Sequence, residues 1–111
     1  MTTIVNYADS FISQLDAEFN YLRKKVGSHA SSEWLAEIMK RFEGKVKPFP
    51  LSCPRCDEAM VLGYDDYYEY IDVKSQCRVI YRFNKRVTAL LFIRTRQSLR
   101  DQLLNLVLMS P

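Results

Sequence analysis

The hydrophobic period changes once along the chain, and this change limits the possible folds more than any other feature. Up to position 46 apolar residues recur every three or four positions. Phe11, Ile12, Leu15, Phe19, Leu22 and Val26 form one helical stripe, and Trp34, Leu35, Ile38, Met39, Phe42 and Val46 form another. Asp9 or Ser10 can cap the first helix and Gly27 stops it. The stretch Ser28-His29-Ala30-Ser31-Ser32 reads as a turn. So short a connection makes the two helices antiparallel neighbours. Pro48, Pro50 and Pro54 then end helical structure and predict an extended linker.

Beyond the linker the period is two. Residues 67–73 alternate, with Tyr67, Tyr68 and Tyr70 among them, and read as a strand. Cys77–Phe83 and Val87–Arg94 are two more, joined by Asn84-Lys85-Arg86. A three-residue loop sets Phe83 opposite Val87, Tyr81 opposite Ala89 and Val79 opposite Leu91, which keeps one face apolar. The other face then carries Arg78, Ile80, Arg82, Thr88, Leu90, Phe92 and Arg94, a mixture that suits a binding surface. Ile4–Tyr7 is a short first strand. Leu99, Leu103, Leu106 and Val107 have helical spacing, with Ser98 as a cap. The expected fold is α+β, β-α-α-β-β-β-α, with a helical hairpin on one face of an antiparallel meander and a C-terminal helix. At 111 residues there is room for a single domain, residues 1–111.

Charge is distributed unevenly. Residues 1–73 have a net charge of −4 and residues 74–111 a net of +7. Asp57, Glu58, Asp65, Asp66, Glu69 and Asp72 precede Lys74, Arg78, Arg82, Lys85, Arg86, Arg94, Arg96 and Arg100. The basic third predicts a polyanion or an acidic protein as partner, unless its charges pair with the acidic run. No stretch approaches the roughly 18 apolar residues of a membrane span, and the first residues lack the pattern of a signal peptide. With 3 Cys as well, the expectation is a cytoplasmic chain without a disulfide framework.

Cys53-Pro54-Arg55-Cys56 has the spacing of half a zinc site, for which Cys77 and His29 are the remaining ligand types. The alternative, preferred here, is that both cysteines are small linker residues, with no metal and no cofactor. His29 in a Ser-rich turn reads as solvated. There is no phosphate loop, no G-x-G-x-x-G and no H-E-x-x-H. Arg78 and Arg82, four apart on a strand, share a face. With Arg94 and Arg96 they form a basic cluster whose guanidinium forks suit phosphates or carboxylates. If the cluster cleaved RNA, Tyr81, Lys74 or an acid would have to serve as proton donor or acceptor.

The element order, with Cys77-Arg78-Val79-Ile80-Tyr81-Arg82 and Arg94-Thr95-Arg96-Gln97, resembles the RelE/ParE toxin superfamily. Phe49-Pro50 and Tyr67-Tyr68-Glu69-Tyr70 match further short motifs. The resemblance implies a toxin of a bacterial type II toxin–antitoxin pair, of the kind linked to plasmid stabilisation and neutralised by a cognate antitoxin. One branch cleaves mRNA on the ribosome, and Arg78 and Arg96 match its arginines. That branch ends in a Tyr or His, where this chain has Asp101-Gln102-Leu103. The other branch inhibits DNA gyrase and needs no acid–base group, so the expected function is growth inhibition by binding, with gyrase as target. On that reading Lys74, Arg78, Arg82, Arg94 and Arg96 bind target or antitoxin. The alternatives are a ribosome-dependent mRNA endoribonuclease using Arg78, Arg96 and Tyr81, and a non-toxic nucleic-acid-binding module.

Overall fold

The computed structural model describes residues 3–94. Strand β1 (Val5–Tyr7) leads into helix α1 (Asp9–Val26) and helix α2 (Ser28–Val46). After the proline-rich segment comes a short helix α3 (Asp57–Val61), then strands β2 (Tyr67–Asp72), β3 (Cys77–Asn84) and β4 (Arg86–Arg94). The sheet order is β1-β4-β3-β2. The last three strands form the expected antiparallel meander, and β1 adds to β4 in parallel. The class is α+β. The expected C-terminal helix and Arg96 lie outside the described residues.

The helical hairpin turns on one residue. Gly27 has φ 89°, a conformation strained for any residue with a Cβ. Its N–H donates to the Arg23 carbonyl, and its own carbonyl accepts the Ser31 N–H. The stretch from Ser28 to Ser32, expected as a turn, is therefore the first turn of α2. Ser31, buried, donates its hydroxyl back to Gly27 instead of ending the helix. The first helix also starts without a side-chain cap: Ala8 is its N-cap. Ser10, a candidate cap, donates to the Leu90 carbonyl, and Gln14 accepts the Phe92 N–H. Polar side chains of α1 thus satisfy part of β4 beyond its pairing with β1.

The helix-side core contains Phe11, Leu35, Ile38, Phe42, Val46, Val79, Tyr81, Val87, Ala89 and Phe92. Phe42 is its centre, edge-on to Tyr70 and Tyr81 at 5.5 and 5.7 Å. The stripe of α2 is buried at Leu35, Ile38, Phe42 and Val46, with Trp34 and Met39 half-buried against the same core. That of α1 is buried at Phe11, while Ile12 and Val26 are exposed.

Two expectations about the sheet are corrected. The pairs Phe83–Val87 and Tyr81–Ala89 form, but Val79 faces Phe92, and Leu91 faces Ile80. A bulge between Ile80 and Tyr81 inserts one residue into β4, so Leu90 and Leu91 both pack on the far side. The bulge returns Phe92 to the helix-side core, where it meets Phe11 edge-on. The far face is also not an open binding surface. The segment expected as a plain linker contains α3, which covers Ile80, Leu91 and Ile93 with Cys56, Ala59, Leu62 and Tyr64.

Candidate anionic-partner site

The path of residues 53–56 explains the cysteines. Pro54 accepts the Glu69 N–H, and the Cys56 N–H donates to the Tyr67 carbonyl, so the segment runs beside β2 and covers part of its edge. In extended chain, residues three apart point to opposite faces. Cys53 accordingly enters the helix-side core and Cys56 the far-side core. The spacing that suggested zinc directs the two thiols to different sides of the sheet, and His29 is exposed beside Glu33 at the start of α2. All three cysteines are buried, and none is in a disulfide. Cys53 and Cys56, expected as small linker residues, each fill a core instead.

The far face carries the charged site. Arg78 and Arg82 share it, as the strand spacing required, because their cross-strand neighbours Ile93 and Tyr67 both belong to the far-side core. Each meets an acid. Arg82 Nε donates to Asp66 at 2.6 Å, and Arg78 Nη1 lies 3.7 Å from Glu69. The two pairs differ in environment. Arg82 and Asp66 are 50% and 37% exposed, whereas Arg78 and Glu69 are 31% and 13% exposed. Arg78 Nε is buried without a hydrogen-bond partner. Burial raises the Glu69 carboxyl above its usual range; Arg78 opposes this, and Glu58 and Asp57 add to it.

The remaining expected site residues are scattered. Tyr81 is fully buried in the opposite, helix-side core, stacked on Tyr68, and donates its hydroxyl to the Pro50 carbonyl at 2.7 Å. Burial raises its pKa above the ordinary phenol value. It does not meet Arg78, and its hydroxyl is already engaged. Lys74 is exposed in the turn after β2. Arg94 sits in register with Cys77, not beside Arg78.

Sequence reasoning allowed the basic third to pair with the acidic run but did not single out Asp66 and Glu69 as the partners of Arg82 and Arg78. Their signal was the base-free acidic run from Asp57 to Asp72, which α3 folds back over the strand that follows it. It missed a second set as well. Cys56, Glu58 and Glu69 bring their ligand-type atoms within 4.8 Å of one another, the one such group among the described residues. Burial pushes the Cys56 thiol up to about 11. Arg78 already supplies positive charge at Glu69, so this group reads as a half-buried polar cluster.

A separate ionic network fixes the turn that leads into β3. Asp72, 4% exposed, accepts two hydrogen bonds from Arg41 of α2 at 2.9 and 2.8 Å. The Ser75 hydroxyl also donates to it, and its carbonyl accepts the Gln76 N–H. The Arg41 bonds hold its carboxyl below the usual carboxylate range. On the other side of the molecule, Tyr7 donates to Glu43, which also pairs with Lys47.

A helical hairpin on one face of a four-stranded mixed sheet, with a short helix on the other, defines the class of fold. The fold is similar to that of a chain of the solved chromosomal ParDE TA system from P. aeruginosa, with a TM-score of 0.70 and 11% sequence identity. The alignment covers 86% of this chain and 98% of that one. The likeness supports a RelE/ParE-like fold. No family model and no curated protein matches the sequence. No helix among the described residues is long and apolar enough to cross a membrane.

Proposed function

We propose that the protein is the toxin of a type II toxin–antitoxin pair and inhibits growth by binding an essential target, with DNA gyrase first. The observation that carries this reading is the fold shared with a chain of a ParDE TA system over 86% of the length. The charge supports it: a net +7 over residues 74–111 suits an acidic antitoxin. The site chemistry favours binding over cleavage, because Tyr81 is buried on the face opposite Arg78. Arg78 and Arg82, with Lys74, Arg94 and Arg96, engage target or antitoxin. The test is purified protein in a gyrase supercoiling assay: inhibition supports the reading, and full supercoiling at stoichiometric excess refutes gyrase as target.

One observation favours a second reading, the ribosome-dependent endoribonuclease. Glu69, its carboxyl raised by burial, stands 3.7 Å from Arg78. A carboxyl with raised pKa beside a phosphate-binding guanidinium can take a proton from a 2′-hydroxyl. Programmed ribosomes separate the two readings. Discrete mRNA cuts that disappear in Glu69→Gln support the enzyme, and intact mRNA with blocked supercoiling supports the binder.

A further inference from the structure

We infer that the acidic loop through Asp66 is an intramolecular competitor for the Arg82 side of the far face, which docks carboxylate side chains of an acidic protein segment. The inference rests on the binding reading above and adds how that surface is regulated. The present occupant indicates the chemistry, since the arginine at this site holds a carboxylate. Asp66 accepts from Arg82 Nε at 2.6 Å, and Glu69 stands by Arg78 next along the strand. The loop is anchored by apolar contacts independent of these charges. Ala59, Leu62 and Tyr64 pack on Ile80, Leu91 and Ile93. Asp66 is therefore held beside Arg82 whether or not a partner is present. Half of Arg82 and over a third of Asp66 reach solvent, so an incoming carboxylate can replace Asp66 without opening the core. Arg78 and Glu69 are more enclosed, so the exchange begins at Arg82.

Competition of this kind lowers affinity by the free energy of the pair that must open. For an exposed Arg–Asp pair that is a factor of roughly 1.5 to 5. The experiment measures binding of a labelled oligoglutamate peptide, and separately a single-stranded oligonucleotide of equal charge, to wild type, Asp66→Asn and Arg82→Gln. Circular dichroism and urea midpoints check that each variant is folded. Asp66→Asn is expected to bind the peptide roughly 1.5- to 5-fold tighter, with the gain shrinking at high salt, and Arg82→Gln is expected to abolish the gain in combination with it. Equal affinities for wild type and Asp66→Asn, or no peptide binding by either, overturn the inference. A gain for the oligonucleotide alone overturns the acidic-protein assignment. Growth on induction is scored separately. If the chain arrests growth while Asp66→Asn binds no tighter, only this inference fails. If Asp66→Asn binds tighter in a chain that leaves growth unaffected, only the toxin reading fails.

Discussion

Replacing Asp72 by Asn removes one charge at nearly constant shape, and the consequence can be worked from the network around it. The carboxylate is 4% exposed and accepts a two-pronged bond from Arg41. Hydrogen bonds to charged groups contribute ~1.5–3 kcal/mol each. Asn keeps one acceptor, and Arg41, 31% exposed, can return to water, so the loss must be discounted for solvent screening. About 2 kcal/mol remains, against a total of roughly 5–15 kcal/mol for a domain. With a urea slope of about 1.5 kcal/mol per M, the midpoint should fall by a little over 1 M at neutral pH. The pH dependence has a definite sign. Arg41 holds the folded carboxyl below its unfolded value. Its stabilisation is therefore complete above the unfolded value, about pH 4, and is lost as pH falls through the lower folded value. The gap between wild type and Asp72→Asn should be full at pH 7 and close in acid. Urea midpoints across that range test it. A gap below about 0.5 kcal/mol at pH 7, or one that persists unchanged far below pH 4, would refute the reasoning.

Other substitutions probe the cores. Phe42→Ala removes a fully buried ring from between Tyr70 and Tyr81 and should cost ~3–5 kcal/mol in chemical denaturation, enough to leave the chain largely unfolded if its total lies at the low end. Tyr81→Phe leaves the half-buried Pro50 carbonyl without its donor and should cost roughly 0.5–1.5 kcal/mol, yet on the proposed reading growth inhibition should survive wherever the variant is folded. Loss of toxicity in a folded Tyr81→Phe protein would reinstate Tyr81 as a functional group. A thiol reagent at mildly alkaline pH should label the native protein slowly and all 3 cysteines once it is denatured, because each is buried and the Cys56 thiol is pushed up to about 11. Rapid labelling of the folded chain would contradict their placement.

What could be read from the sequence follows the range of the physics. The helix stripes and strand alternation are local, and they gave the class, the hairpin and the Phe83–Val87 pair. The bulge beyond Tyr81 was not legible. Both Leu90 and Leu91 are apolar, so nothing in the alternation marks which is extra; burial of Phe92 against Phe11 decides it. The start of α2 was missed because Ser28–Ser32 has turn composition, whereas a glycine at φ 89° lets the helix begin at once. Helix α3 is five residues long, too short to show a period. Its consequence was the larger error: a face read as a binding surface is covered, and the acid pairing held only as an alternative is present at Arg78 and Arg82. Arg78 and Arg82 were placed on one face correctly, since strand periodicity alone fixes that. Their acidic partners lie 9 and 16 residues earlier and depend on how the loop returns.

The central proposal is that this chain is a growth-inhibiting toxin, and viable counts after tightly controlled induction in a bacterium test it most directly. The account predicts a fall of several decades within a few generations, reversed when an acidic antitoxin partner is co-expressed. Undiminished counts in cells that demonstrably accumulate folded protein would contradict it.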